Sequence, residues 1–376
     1  MSILKKYQST ILSAFLLIFI IASVAMSILL VRPANAKPTS KTTAKITATA
    51  SVITATPTIV TAPIAVTPQT PISQVIQTKQ LLTKFDVGYG PAGIAINSTG
   101  SIWITNLYSS SLTLLYPSGN KFAEQSFNND QKGPSSIAID AGGNIWTTDP
   151  RNNSVSMFNS NGHLINIFPV KNNPSNIAIG PSGYIWVTNY ANSTITQIDP
   201  AGNILGTFQA GPNPLGIAID ASGNIWVTNP HNNSVTELSP SGSIIGTHPA
   251  GNFPIDIAID PSGNIWVTDL SGNTISELNA NGSLIGIFAI DKGPAAVAID
   301  SAGNVWVASF NSNTVTELNP VLHTARVFPV GNAPTGVLID SFGNVWVING
   351  NSNSVMELKK ISSGPEYFPY IGPQFP

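Results

Sequence analysis

The sequence predicts an all-β protein: a seven-bladed β-propeller of four-stranded antiparallel blades, preceded by a signal or anchor segment and a disordered stalk. Three observations lead there. The seven tryptophans, Trp103, Trp146, Trp186, Trp226, Trp266, Trp306 and Trp346, stand 43 residues apart once and 40 apart thereafter. Each lies twelve residues after a proline: Pro91, Pro134, Pro174, Pro214, Pro254, Pro294 and Pro334. Within each period, four short β-patterned runs alternate with turn residues, and none has the length or 3.6-residue period of a helix. A period of about 40 residues holding four strands is the mark of a propeller blade.

The fourth copy shows how each element follows. Leu215 to Ile219 is a short apolar first strand, and Asp220-Ala221-Ser222-Gly223 is a turn. Asp hydrogen-bonds the backbone two residues on and Gly accepts positive φ, as a short hairpin loop requires. Asn224 to Thr228 is the second strand and carries the Trp. Asn229-Pro230-His231-Asn232-Asn233 is a polar loop, and Ser234 to Leu238 is the third strand. Ser239 to Gly242 turns into a fourth strand, Ile244 to His248, and Ala250 to Phe253 leads to the next proline. A blade buries its faces only against other blades, and a bulky Trp opposite a small residue suits that packing. The expected small partners are Ala95, Ala138, Ala178, Ala218, Ala258 and Ala298, with Leu338 in the seventh copy.

The ring must also close. Leu81 to Val87 aligns with the fourth strand and precedes the first proline, so the N-terminal side is expected to supply the outer strand of the last blade. The competing segment around Tyr367-Phe368-Pro369 is interrupted by Gly364-Pro365 and Pro369. The propeller therefore spans residues 81–376.

Residues 1–36 read as a signal peptide or membrane anchor. Lys5 and Lys6 precede an apolar run, Ile11 to Val31, and Ala34-Asn35-Ala36 follows as an A-x-A site. Cleavage after Ala36 is the favoured expectation, and either outcome places the rest outside the cytoplasm, secreted or tethered to the cell surface by residues 11–31. Residues 37–80 are a Thr/Pro/Ala-rich linker without an aromatic residue. Charged residues make up 9% of the chain and the formal net charge is -2, so a nucleic-acid partner is not expected. Without cysteine, disulfides, thiolate metal sites and a Cys nucleophile are excluded.

GNIWVTNPHNNSVTELSPSG and its sister phrases resemble the NHL repeat and, more broadly, the propellers of the streptogramin B lyase (virginiamycin B lyase) type, over residues 81 to about 370. NHL repeats mostly provide binding surfaces. The lyase resemblance implies a seven-bladed propeller that opens a cyclic peptide lactone without water, using histidine, acidic residues and a divalent metal. The second strands here end WVTN or WVTD where such lyases commonly read WFTE, and no catalytic residue carries over.

Propeller geometry narrows the search for chemistry. The first-to-second and third-to-fourth strand turns share one face, the turn face. Their D-x-x-G and P-x-G sequences are near-identical and read as structural. The acids Asp140, Asp220, Asp260, Asp300 and Asp340 each open such a turn, which is a better account of them than a metal ring. The opposite face, the loop face, varies between copies, and variation on a repeat is where a ligand site is encoded. Three residues after each Trp come Asn106, Asp149, Asn189, Asn229, Asp269, Ser309 and Asn349, with Tyr108, Arg151, Tyr190, His231 and Phe310 beyond them. Asp149 and Arg151 read as a surface ion pair.

The candidate binding residues are Asn229, His231, Phe253, Asp256 and Asp269. His231 is the candidate acid–base group, and Asp256 with Asp269 are candidate ligands for a divalent cation, Mg or Ca. The alternative for His231 is a solvated loop residue, and for Asp269 a strand cap. His163, His248 and His323 fall at turns or on outer strands. The N-x-[ST] sequences at Asn97, Asn152, Asn192, Asn232 and Asn281 arise readily in so Asn- and Ser-rich a repeat. The functional expectation is a monomeric binding scaffold for protein, peptide or glycan, touching a membrane only through its N-terminal segment. A metal-dependent lyase or hydrolase with its site on the loop face is the alternative.

Overall fold

A computed structural model describes residues 72–75, 82–116, 121–126, 133–171, 173–321 and 323–359. The expectations for residues 1–71 and for 360–376 lie outside the described residues. Seven antiparallel sheets follow one another along the chain, each ordered from first to fourth strand. In the fourth blade the strands are Ile217–Ile219, Ile225–Asn229, Ser234–Leu238 and Ile244–Pro249. The first strand is shorter than expected because Leu215 and Gly216 bond to Thr228 outside the regular ladder. First strands of neighbouring blades pack on one another around the ring, and blade seven packs on blade one.

The N-terminal side closes the ring. Leu82–Asp86 pairs antiparallel with Ser354–Leu358 and completes the seventh blade as its outer strand. One feature departs from the sequence reading. Ile72–Val75, inside the segment read as linker, runs parallel to the outer strand of blade six, with Ile72 opposite Thr324 and Val75 opposite Val327. Its β-branched ends suit an added strand, and its short run beside Thr/Pro-rich sequence hid it.

Every blade-to-blade seam holds one tryptophan. Trp226, for example, packs with Ile257, Ile265 and Val267 of the next blade. The expected small partners stand directly opposite: Ala218 faces Trp226, Ala178 faces Trp186, and Leu338 faces Trp346. On the outer side a fourth-strand ring covers the indole. Phe85, Phe168, Phe208, Phe288 and Phe328 do so in five blades, and His248 does so in blade four, 5.3 Å from Trp226.

The turn acids behave as turn geometry requires. Asp220 Oδ1 accepts the backbone N–H groups of Ser222 and Asn224, and Oδ2 accepts Trp226 Nε1–H at 3.4 Å. Trp146, Trp266, Trp306 and Trp346 make the same bond to Asp140, Asp260, Asp300 and Asp340. The acid thus joins the turn to the seam, beyond the local backbone bond that the sequence implies.

A second device recurs two residues after the Trp. Thr228 Oγ1 accepts the Gly216 N–H at 2.8 Å and donates to the Ile255 carbonyl of the next blade at 3.1 Å. Thr188 donates likewise to Leu215. Ala308 and Ile348 replace the threonine in blades six and seven, so those seams rely on apolar packing. Thr228→Val should lower stability by about 1–3 kcal/mol, since it strands a buried N–H and a buried carbonyl. Thermal unfolding of the variant measures this; an unchanged midpoint would remove the bond from the account of the seam.

Candidate functional site

The loop face is held by a residue in the left-handed region seven positions after each Trp. In blade four this is Asn233, φ 50°. Its carbonyl accepts Ala250 N–H and its Oδ1 accepts Phe253 N–H, both at 2.9 Å. Asn153, Asn273, Asn313 and Asn353 clamp Asn173, Gly293, Ala333 and Gly90 in the same way. Asn tolerates this conformation better than other side chains, which explains its recurrence. The 40-residue recurrence of this Asn is the sequence signal for the clamp. These clamps tie the two variable loops of each blade into one unit.

The residues three positions after each Trp do not line that surface. All seven are buried at the loop-face ends of the second strands. Asn229 Nδ2 donates to the Ala210 carbonyl at 2.8 Å, and its Oδ1 accepts Thr236 Oγ1–H at 2.6 Å. Asp269 Oδ2 accepts hydroxyls from Ser276 at 2.7 Å and Thr274 at 3.0 Å. Burial pushes the Asp269 carboxyl up to about 7, against the lowering effect of those hydroxyls. Asp149 is buried too, pushed up to about 6 by desolvation, and accepts the Ser156 hydroxyl at 2.5 Å. It therefore does not form the expected surface pair with Arg151, whose guanidinium lies 5.6 Å from the Tyr108 ring centre. Buried carboxylates take hydroxyl donors from their own blade, which position on the repeat alone did not reveal.

Asp256 stands on the first strand of blade five. Its Oδ2 accepts the Val297 N–H of blade six at 2.9 Å, and its own N–H donates to Thr268. The surrounding first strands desolvate it and push its carboxyl up to about 6. Its visible role is to join two blades.

His231 and Phe253 are brought together. The His231 ring is exposed on a one-turn 3-10 helix, Pro230–Asn232. Its Nε2 is 3.0 Å from the buried Tyr190 hydroxyl of blade three, and the Phe253 ring meets it edge-on at 5.7 Å. Tyr190 sits on the matching turn, Tyr190–Asn192. Around the same face, Tyr89 and Tyr108 lie 5.3 Å apart with Arg151 beside them. The sequence reading named Tyr190 as a loop-face residue but missed its bond to His231. Their 41-residue separation, one blade plus one, carries that signal.

The carboxylates do not fit a cation held with His231. The hydrogen bonds of His231, Asp256 and Asp269 go to three different neighbourhoods. Among the described residues, no group of three His, Asp or Glu side chains is placed to hold a metal. Asp269 Oδ1 is buried without a partner, but so are Asn106, Asn189 and Asn349 Oδ1 at the same repeat position. The orphaned oxygen is a property of the position and calls for no ion.

The seven-bladed ring and its loop-face geometry can be set beside known proteins. The sequence profile of the Virginiamycin B lyase family matches residues 78–358. The chain belongs to this family. No curated protein matches it. Among solved structures, a streptogramin B lyase is 20% identical with a TM-score of 0.68, covering 73% of this chain and 96% of its own. A catalytically inactive virginiamycin B lyase from Staphylococcus aureus, with quinupristin, is 21% identical with a TM-score of 0.68, covering 74% and 99%. Hydrazine synthase from Kuenenia stuttgartiensis is 17% identical with a TM-score of 0.66, covering 77% and 99%. At these identities the structures share the fold. Within the virginiamycin B lyase family, this member places His231 against a tyrosine hydroxyl and an aromatic edge.

Proposed function

We propose that this member of the virginiamycin B lyase family is a secreted or surface-tethered binding propeller, whose loop face takes a protein, peptide or glycan ligand centred on His231. One observation carries the reading. His231 is an exposed ring held between a buried tyrosine hydroxyl and the edge of Phe253, on loops clamped by Asn233. Fixed aromatic and polar groups in the free protein reduce the entropy lost on binding. The low charge of the chain favours hydrogen-bonding and ring contacts over ionic ones. The full chain should select discrete members of a peptide and glycan array, and His231→Ala should weaken the selected contacts by about tenfold or more. Array binding that survives His231→Ala unchanged would place the site elsewhere.

A second reading rests on family membership together with the Tyr190–His231 pair. In it the imidazole moves a proton on a bound cyclic peptide lactone, and the tyrosine hydroxyl fixes the ring. Incubation of the full chain with quinupristin and a divalent cation, Mg or Ca, tests it as the metal-dependent lyase. An isomer of unchanged mass and altered chromatographic retention, lost in His231→Ala, supports the lyase; unaltered substrate overturns it.

A further inference from the structure

A second group on the loop face carries chemistry that the His231 group does not use. Tyr89 lies between the closing strand Leu82–Asp86 and the first strand of blade one, Pro91–Ile96. Tyr108 sits on the variable loop of blade one and Arg151 on the matching loop of blade two, each five residues after its Trp. The two tyrosine rings are 5.3 Å apart with their planes inclined at 43°, and the Arg151 guanidinium lies 5.6 Å from the centre of the Tyr108 ring. Tyr89 is 45% exposed, Tyr108 is half-buried and Arg151 is exposed. Among the described residues Arg151 has no acidic partner, whereas Arg326, on the outer strand of blade six, is paired with Glu317.

The tyrosine pair is fixed by its backbone. Gly90 takes φ 69°, and a side chain there would run into the Tyr108 ring, so the close approach requires glycine. The Tyr89 carbonyl accepts the N–H groups of Tyr108 at 3.0 Å and Ser109 at 3.1 Å, and the Gly90 carbonyl accepts Leu107 N–H at 2.8 Å. Tyr89 N–H donates to Ser109 Oγ and Gly90 N–H to Asn353 Oδ1, both at 3.0 Å. All the backbone polar groups of Tyr89 and Gly90 are therefore bonded within the protein. What the group offers outward is side chain: ring faces, phenol hydroxyls and the guanidinium fork. Desolvation holds the Tyr108 hydroxyl above its ordinary range, against the lowering effect of Arg151, so it stays a neutral donor.

We infer that Tyr89, Tyr108 and Arg151 form a binding site for a carboxylated sugar, the uronate unit of an acidic glycan. The planar guanidinium matches the two oxygens of one carboxylate. The tyrosines supply rigid apolar faces that end in hydroxyls, as the C–H and O–H groups of a sugar require. Their inclination selects a saturated ring. A flat aromatic acid stacks on one of two planes set at 43°, whereas a pyranose directs C–H groups toward both. A peptide added as a strand needs free main-chain partners, and those of Tyr89 and Gly90 are already bonded. The site rests on the loop-face reading only in sharing that face. It stands apart from His231, whose contacts come from the loops of blades three to five.

Calorimetric titration of the full chain with trigalacturonate, with its methyl ester and with triglutamate tests the assignment. Trigalacturonate should bind about tenfold or more tightly than either of the others, since the ester lacks the charge and the peptide lacks the sugar ring. Arg151→Gln and Tyr89→Ala should each weaken trigalacturonate by about tenfold or more. Both side chains are exposed, so both variants should melt with the wild type, which keeps the loss attributable to the site. Absence of trigalacturonate binding, equal binding of the ester, or tighter binding of triglutamate overturns the proposal. Binding that survives either variant unchanged does so too. Loss in His231→Ala without loss in Arg151→Gln would assign the acidic sugar to the His231 group, overturning this site while leaving the reading of His231 intact.

Discussion

Asp269→Asn is expected to stabilise the protein above neutral pH and to leave it unchanged below about pH 4. The carboxyl is raised from 3.8 to about 7 by burial. Between those values the folded state binds a proton that the unfolded state has released. Stability therefore falls as pH rises through this window, and the full cost is present above pH 7. At ~1.4 kcal/mol for each pKa unit, a rise of about three units makes the ionised side chain cost on the order of 4 kcal/mol there. The amide removes the charge and keeps an oxygen for Ser276 and Thr274. Four blades already carry Asn at this position, and in blade four Thr236 donates to Asn229 in the corresponding way. Asp149 and Asp256, pushed up to about 6, and Glu277, pushed up to about 7, leave both proteins a slope of the same sign. Denaturant unfolding of both proteins between pH 4 and 8 measures the difference. Parallel pH curves would show that Asp269 ionises without cost.

Trp266→Ala should be among the most damaging single truncations in the ring, lowering stability by about 3–5 kcal/mol. The indole is fully buried between blades five and six, where Val297, Val305 and Leu318 surround it. Phe288 covers its outer side at 5.6 Å, and Asp260 accepts its N–H at 3.2 Å. Truncation leaves a cavity in the seam and an unpaired acceptor at the turn. Phe342→Ser, on an exposed turn, supplies the contrast and should leave the midpoint where it is. A Trp266→Ala variant that melts with the wild type would mean that the seams are not what holds the blades together.

Periodicity made the architecture legible. A tryptophan twelve residues after a proline placed each second strand, and the D-x-x-G phrase placed the turn that precedes it. The seam could be foreseen from Ala218 opposite Trp226, and closure from the alignment of Leu81 to Val87 with a fourth strand. Depth was the part that repeat position could not supply. Asn229 and Asp269 sit at the end of a strand, next to a loop, and sequence alone cannot tell a side chain turned inward from one turned out. Their neighbours on the adjoining third strand, Ser276 and Thr274 for Asp269, decide the matter. The Tyr190–His231 contact was hidden for a related reason. It joins different blades, and comparing copies one beneath another reveals what changes at a position without revealing what it touches.

Ring closure also has a mechanical consequence. The strand Leu82–Asp86, first among the ring's strands to leave the ribosome, waits for Ser354–Leu358, the last third strand to be made, so the ring stays open until the chain is nearly complete. Once closed, it is joined at that point by backbone hydrogen bonds and side-chain packing rather than by a covalent link. Tension arriving from the N-terminal side would reach Ile72–Val75 first, where four residues lie alongside Thr324–Val327. That parallel pair is loaded in shear along its length, and it must slip before any force peels the closing strand from blade seven.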